Sequence, residues 1–241
     1  MKNEKKINNK NFFLLAFFLL STSLISLITL NYVNIKDIKI SGSKLFSKND
    51  LVKNSSLKFP TRLILIKTRF LEEELKQNLS LKNVSVSRQI FPFGLRIQVN
   101  TRNPVAYGER ILNNEKILGY VDADGVFINK QNVDEKNLNK LFIRVFGWED
   151  KYKKKLSKIL IAQESNEFEL IKINFSPNGF LTLEEKDLKT ILLGFNSNLI
   201  DYQLQIINKL KNEFLKNNFS EKIDKIDLTD PNKPKIKVFK P

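Results

Sequence analysis

The sequence predicts an α+β fold with three parts: an N-terminal transmembrane helix, a β-α-α-β-β domain, and a second β-rich domain with helices on one face. An uncharged apolar run over residues 12–30 predicts the first part. The order strand, helix, helix, strand, strand predicts the second, and period-two alternation interrupted by one helical stripe predicts the third. We therefore expect a tail at 1–11, a signal anchor at 12–33, and domains at 34–103 and 104–241.

The apolar run extends from Phe12 through Leu20 to Leu30 and contains 19 residues. As a helix it is about 28 Å long, close to the thickness of a bilayer hydrocarbon core. A cleaved signal peptide is the alternative, with Ser21 and Ser23 as small residues near a cleavage site. Because the run continues to Leu30, we favour an uncleaved anchor. Lysines before the run predict a cytoplasmic N-terminus, with the rest of the chain outside the plasma membrane.

The first domain shows strand and helix signals in the order given above. A short strand ends at the turn Ser41-Gly42-Ser43. Ser47 is the predicted N-cap of the helix that follows, and Asp50, three residues on, would complete a capping box in which Asp replaces the usual Glu. A second helix and two strands follow, the last with a clean period of two. Two helices should therefore cover one face of a three-stranded sheet. The apolar positions of these elements are Ile35, Ile38, Ile40, Leu51, Val52, Phe70, Leu71, Leu75, Leu79, Val84, Val86, Leu95, Ile97 and Val99.

The second domain, after Pro104, is predicted to be mostly β with helical insertions. Residues 141–145 alternate, and 170–183 form a predicted hairpin around Pro177-Asn178-Gly179. A helical stripe runs from Tyr202 to Phe214, and the lysines placed off this stripe are Lys209, Lys211 and Lys216. A short terminal strand contains Lys235, Ile236, Lys237, Val238 and Phe239.

Composition excludes most catalytic classes. The chain has no Cys and no His, so thiol nucleophiles, imidazole bases and thiolate metal sites are absent. We predict no catalytic residue, metal or cofactor, and no small-molecule substrate. The formal net charge is +15, and the basic residues are 34 Lys and only 7 Arg. Because Arg is the residue best suited to phosphate and base contacts, this ratio does not favour nucleic-acid binding.

Two tracts resemble the FtsQ/DivIB family of bacterial cell-division proteins. The family carries a "V-x-E-R-x-P-V-A" segment at the end of a POTRA domain and "hydrophobic-D-x-x-G-x-x-F/L" shortly after. The matching residues here are Val99, Arg102, Pro104, Val105, Ala106, Asp122, Gly125 and Phe127. Thr101 replaces the usual Glu, and Thr229 replaces the Arg of a later "I-x-x-I-D-L-R" segment that begins at Ile223.

This resemblance implies a single-pass scaffold at the division septum that does no chemistry. Its implied partners are FtsB, FtsL and, through them, the septal peptidoglycan synthase machinery, with membrane lipid around the N-terminal helix. In the family, the end of the second domain receives FtsB as an added strand, a position matched here by Lys235 to Phe239. From the residues alone, that segment is either such a partner-binding edge or a simple capped edge.

Two clusters of charged side chains are candidate functional sites. Asp122 and Asp124 precede Gly125, which predicts a tight turn in preference to a carboxylate pair or cation site. The lysine cluster over 151–158 predicts a solvated helix face, with anionic lipid or cell-wall polymer as the alternative. Trp148 beside it is predicted to lie in the core.

Two other functions are considered. A membrane-anchored cell-wall hydrolase would need a catalytic set, and the Ser-x-x-Lys match at Ser55–Lys58 lacks its companion motifs. A POTRA-bearing outer-membrane assembly or translocation factor of the Omp85 type would need a C-terminal barrel, for which 241 residues leave no room.

Overall fold

The computed structural model describes residues 9–30, 32–134, 138, 141–165, 169–216 and 223–239. These residues form a mixed α+β fold with five α-helices and a large sheet. The chain divides into two compact units between Asn100 and Thr101. The predicted tail at 1–11 lies mostly outside the described residues.

Helix α1 (Asn9–Leu30) coincides with the apolar run. Phe12 and Leu20 are exposed on it, and the side chain of Leu30 lies outside those described. The hydroxyls of Ser21 and Thr22 donate to the carbonyl oxygen of Phe18 at 2.9 and 3.0 Å, so the helix satisfies them itself. Over the residues that the structure describes, no helix has both the length and the apolar content that crossing a membrane requires. The transmembrane span therefore stays a prediction.

The first unit contains the predicted order of two helices and three longer strands. Its elements are β1 (Tyr32–Val33), β2 (Ile38–Ser41), α2 (Lys48–Lys53), β3 (Thr61–Arg62), α3 (Thr68–Asn78), β4 (Asn83–Gln89) and β5 (Gly94–Asn100). The three-stranded sheet has the order β2-β5-β4, with β2 parallel and β4 antiparallel to β5. The small β1–β3 pair and a 3-10 helix at Leu63–Leu65 were not predicted.

The core of the first unit follows the alternation seen in the sequence. Leu95, Ile97 and Val99 of β5 are completely buried, and they pack with Leu51 of α2 and Leu75 of α3. Two amphipathic helices therefore cover one face of the sheet, as predicted.

The predicted cap of α2 is also present. The Ser47 hydroxyl accepts from the backbone N–H of Asp50 at 3.2 Å, and the Asp50 carboxylate accepts from the backbone N–H of Ser47 at 2.8 Å. The hydrogen bonds from Ser47 lower the pKa of Asp50 below its ordinary value of 3.8. Both hydrogen bonds of the capping box are thus present, although Asp50 stands where Glu is usual.

The second unit is built on one mixed sheet of nine described strands. They are β6 (Pro104–Leu112), β7 (Glu115–Asp122), β8 (Phe127–Asn129), β9 (Ile143–Phe146), β10 (Leu170–Phe175), β11 (Leu181–Glu185), β12 (Lys189–Gly194), β13 (Ile223–Asp227) and β14 (Lys235–Val238). The order across the sheet is β14-β13-β12-β11-β10-β9-β6-β7-β8. The predicted hairpin is β10–β11, whereas β12 was not predicted.

Two helices, α4 (Lys153–Ser165) and α5 (Ile200–Lys216), pack on one face of this sheet. Leu156 and Ile159 of α4 and Ile207 of α5 are completely buried in the same core as the inward residues of the strands. On the opposite face, Lys172 and Glu184 form an ion pair at 2.8 Å across β10 and β11. The amphipathic sheet is thus covered by helices on one side.

The prediction that Lys211 lies on the solvated side of α5 is wrong. Its side chain is only 6% exposed, and its Nζ lies 2.8 Å from Glu185 Oε1 and 3.1 Å from Asp187 Oδ2. Residues 204, 207 and 211 have the spacing i, i+3, i+7, so Lys211 shares the face of buried Leu204 and Ile207. Lys209 and Lys216 are exposed, as expected.

Candidate partner-binding edge

Strand β14 begins after a turn that stops β13. Pro231 and Pro234 flank this turn, and the Asp230 carboxylate accepts from the backbone N–H of Asn232 at 3.1 Å. The backbone N–H of Lys233 also donates to Asp230 O at 3.1 Å. Proline favours such a reversal because its ring fixes φ, and Asp favours it because its side chain accepts a hydrogen bond from the nearby backbone. The chain therefore returns antiparallel to β13 at the end of the sheet.

The position of β14 leaves one of its sides open. In the described part of the sheet, β14 is the outermost strand and pairs only with β13. In an antiparallel pair, half of the backbone N–H and C=O groups of an outer strand point away from its neighbour. Those groups offer a ladder to one more strand.

The register fixes which side chains share each face of this edge. Ile236 lies opposite Ile226, and Val238 lies opposite Ile223. Both partners on β13 are completely buried, so Ile236 and Val238 lie on the helix-covered face. Ile236 is 40% exposed and Val238 is 43% exposed, which leaves apolar surface beside the open edge.

The opposite face of β14 is basic. Lys235 and Lys237 are exposed, and Lys237 Nζ lies 3.0 Å from Asp224 Oδ2. Phe239, at the end of the predicted segment, is 57% exposed and follows the strand. The structure thus places four of the five predicted residues in one edge strand and the fifth directly after it.

A bulge in β13 explains how its residues reach the core. Ile223 and Ile226 are three apart, so a regular strand would place them on opposite faces. The register shifts between Ile223 and Lys225, which inserts Asp224 and returns both isoleucines to the core. Their spacing in the sequence is a signal that could have predicted the bulge.

Asp227 and Thr229 hold the chain as it leaves β13. The Asp227 carboxylate accepts from Thr229 Oγ1 at 2.7 Å and from Thr229 N at 3.0 Å. These two bonds, followed by the nearby charges of Lys235 and Lys225, lower the pKa of Asp227 below its ordinary value of 3.8. Thr229, which replaces the Arg of the resembling segment, thus has a clear structural role here.

Gln203 of α5 supports this part of the sheet from the helix-covered face. It was not predicted from the sequence. Its side chain is buried, and its amide nitrogen donates to Leu193 O at 2.8 Å and to Leu228 O at 2.7 Å. One side chain on α5 therefore joins the end of β12 to the residue after β13. A glutamine next to the apolar stripe of a predicted helix was the available signal.

The family-motif residues lie near the start of the second unit, apart from Val99, which is buried in the first. Pro104 and Ala106 are buried in β6, Val105 packs partly buried against the core, and Phe127 lies 5.4 Å from Trp148 between ring centroids. Arg102 forms an ion pair with Asp122 and lies 3.0 Å from Asp124 Oδ2. The contacts of Arg102 and Phe127 are thus made within the second unit.

The predicted turn at Asp122–Gly125 is confirmed. Asp122 O accepts from Gly125 N at 2.9 Å, and Asp122 Oδ1 accepts from Val126 N at 2.8 Å. Gly125 has φ +74°, and a Cβ there would lie 2.3 Å from Lys153 O. Glycine is therefore required by both backbone conformation and space. In the part of the chain that the structure describes, no three His, Cys, Asp or Glu side chains are grouped to hold a metal ion.

The lysine cluster lies at the start of α4, and several of its members have partners. Lys151 pairs with Glu149 at 2.7 Å, Lys158 pairs with Asp201, and Lys155 Nζ donates to Phe195 O at 2.8 Å. Partial burial lowers the pKa of Lys155 below its ordinary value of 10.5. Trp148 is buried as predicted, and its Nε1 donates to Gly125 O at 2.9 Å.

Comparison with known families identifies the first unit. Residues 33–102 match the family model for the POTRA domain, FtsQ-type. The chain therefore contains an FtsQ-type POTRA domain at these residues. The resemblance to the FtsQ/DivIB family drawn from the sequence is thereby confirmed. Comparison with curated proteins gives no match.

The POTRA domain narrows the function. A domain of the FtsQ type points to a division-related scaffold that works by protein–protein interaction, and it implies association with the membrane at the division site. The family is generally non-enzymatic.

Proposed function

We propose that this FtsQ-type POTRA protein is a non-enzymatic, membrane-anchored scaffold of the bacterial division apparatus. Helix α1 holds the two units at the outer surface of the plasma membrane, with the N-terminus in the cytoplasm. Strand β14 captures a partner of the FtsB and FtsL type by strand addition, which links early division proteins to septal peptidoglycan synthesis. The open side of β14 carries this proposal.

Two features of the edge favour strand addition over a capped edge. Ile236 and Val238 continue the apolar face of the sheet beyond its last strand, so an added strand would cover them. Lys235 and Lys237 on the other face discourage pairing with a second copy of the same basic edge. A partner strand would therefore meet a selective surface.

The anchor makes a short edge sufficient. Two proteins held on one membrane meet at a high effective concentration, so a contact that is weak in solution is occupied at the septum. Exposed apolar side chains along α1, such as Phe13 and Phe17, suit a lipid environment.

Site-specific crosslinking tests this proposal. The chain has no cysteine, so Lys237→Cys places one thiol on the edge, and Lys172→Cys places one on an inner strand of the same sheet as a matched control. We expect crosslinks to an FtsB-type partner from position 237 and none from position 172. Equal crosslinking from both positions would refute the edge.

Proline substitution tests the ladder itself. Ile236→Pro and Val238→Pro each remove a backbone donor from β14, and we expect both to abolish capture of FtsB that is crosslinked in the intact membrane before purification. Emission from Trp148, the single tryptophan, checks that the core of the second unit is intact. FtsB retained at the wild-type level by both variants would count against strand addition.

A further inference from the structure

One end of the POTRA unit lies next to helix α1. Strand β1 comes directly after this helix and pairs with β3, so that Tyr32 lies opposite Arg62. The 3-10 helix Leu63–Leu65 comes next and contacts α1. Residues 58–70 therefore lie at the α1 end of the unit.

The turn between β4 and β5 lies at the same end. Strands β2 and β5 are parallel, so Ile38 and Leu95 begin them side by side. A Cβ on Gly94 would lie 2.1 Å from Asp37 O, which shows how closely the two strand starts approach. Arg88 Nη2 donates to Ile66 O at 2.6 Å and joins β4 to the segment 58–70. We call the face formed by residues 58–70 and 90–93 the basal surface.

The basal surface exposes large apolar side chains. Leu65 is 67% exposed, Phe70 is 57% exposed and Phe91 is 95% exposed. Their neighbours Leu63 and Ile66 are buried, so the segment has already contributed its core residues. Single exposed apolar residues are normal on proteins, but several together at one end mark an interaction site.

The same surface is basic and free of acids along its main segment. Residues 58–70 contain no Asp or Glu, and they contain Lys58, Arg62, Lys67 and Arg69, all exposed. None of these four belongs to an ion pair among the described residues. The Arg62 guanidinium lies over the Tyr32 ring, 5.7 Å from its centroid. The segment 58–70 thus carries four cations and no carboxylate of its own.

A groove brings the two kinds of side chain together. It has a volume of about 300 Å³, and its lining includes Lys58, Lys67 and Thr61 together with Leu65 and Phe70. Two ammonium groups and a hydroxyl can bind a phosphodiester, while the two apolar side chains suit the region just beneath phospholipid headgroups.

We propose that the basal surface binds the headgroups of anionic phospholipids and seats the POTRA unit on the membrane. The inference rests on the proposed anchoring by α1, because that helix places lipid next to residues 58–70. Continuity with α1 and the four cations of this segment favour a lipid surface over an acidic protein. Since the unit is tethered, weak binding is enough to orient it.

A fluorescent label in lipid nanodiscs tests the proposal on the full chain. Because the chain has no Cys, Leu65→Cys takes a single environment-sensitive dye, and Lys82→Cys before β4 labels the opposite end of the sheet as a control. We expect blue-shifted emission at position 65 with about 30% phosphatidylglycerol, weaker emission change with phosphatidylcholine alone, and none at position 82. Equal emission at position 65 in both lipids would overturn the proposal.

Charge variants separate the surface from the anchor. In the labelled Leu65→Cys protein, Lys58→Gln with Lys67→Gln should lower the ratio of docked to undocked unit about 25-fold, since each basic residue near an anionic surface is worth about fivefold. Lys44→Gln with Lys82→Gln removes the same charge at the other end and should change little. Equal effects of the two pairs would overturn the proposal.

A label on α1 distinguishes the two ways of failing. If dye at Leu20→Cys is blue-shifted while dye at position 65 stays water-like, the basal surface is overturned and the anchor stands. A water-like signal at both positions would overturn the anchor together with the surface that depends on it.

Discussion

Lys211→Met removes a buried cation from a carboxylate that keeps its other hydrogen bonds. Glu185 is fully buried, and besides Lys211 it accepts from the backbone N–H groups of Glu169, Asp187 and Leu188 at 3.0, 2.7 and 2.7 Å. Breaking a buried ion pair from one side costs about 3–5 kcal/mol, because a charge stays behind without its partner. The three remaining donors reduce that cost. We expect the second unit to lose about 3 kcal/mol of unfolding free energy.

Trp148 makes the assay specific to the second unit. It is the single tryptophan of the chain and is buried in that unit's core, so its emission during urea unfolding reports there. Lys209→Met is the control, since Lys209 is exposed on the same helix and should change the unfolding free energy by less than about 0.5 kcal/mol.

The pH dependence gives the prediction a second test. Burial lowers the pKa of Lys211, but hydrogen bonds to Glu185 and Asp187 outweigh it, and the pKa is raised above its ordinary value of 10.5. The contribution of Lys211 is therefore complete below pH 10.5 and is lost as the pH rises through the higher folded pKa. The wild type and Lys211→Met should converge at alkaline pH. Equal stability of the two at pH 7 would refute the reasoning.

Two more predictions concern the POTRA core and the support of β14. Ile97→Asp or Leu95→Asp should unfold the POTRA unit, because each side chain is completely buried under the helices; unchanged protease resistance of that unit would contradict the strand register. Asp227→Asn should cost no more than about 1 kcal/mol at pH 7, because water screens this partly exposed group. Since the folded pKa of Asp227 is lowered, its contribution is present above pH 3.8 and is lost as the pH falls through the folded pKa, so urea unfolding of the wild type and the variant should differ at pH 7 and converge as the pH falls below that folded pKa.

Periodicity predicted the elements whose two faces differ. Strand β5 alternates apolar Leu95, Ile97 and Val99 with polar residues, and the structure buries those three completely. Strand β12 was missed because Ile191, Leu192 and Leu193 are consecutive apolar residues, and such a run has no period of two. The β1–β3 pair has two residues on each strand, too few to show any period.

The polar residues that hold the second unit together were harder to predict. Lys211 and Gln203 are buried on α5, and each is there because its polar end meets groups that are distant in sequence: Glu185 for the lysine, and Leu193 O and Leu228 O for the glutamine. Helical spacing can place such residues on the inner face, but the partners depend on the sheet order. The edge strand β14, by contrast, was predicted from its alternation of lysines with apolar residues, and whether that edge binds a partner or is simply capped was left open.

The small size of the open edge predicts that the proposed strand addition depends on membrane anchoring. Strand β14 has four residues, so an added strand gains about two to four backbone hydrogen bonds at about 1 kcal/mol each. Covering Ile236 and Val238, both already more than half buried, adds about 1–2 kcal/mol. After the entropy of docking is subtracted, such a contact has a dissociation constant near 1 mM or weaker in solution. Co-anchored partners reach effective concentrations in that range, so removing α1 should abolish partner capture as completely as disrupting β14 does.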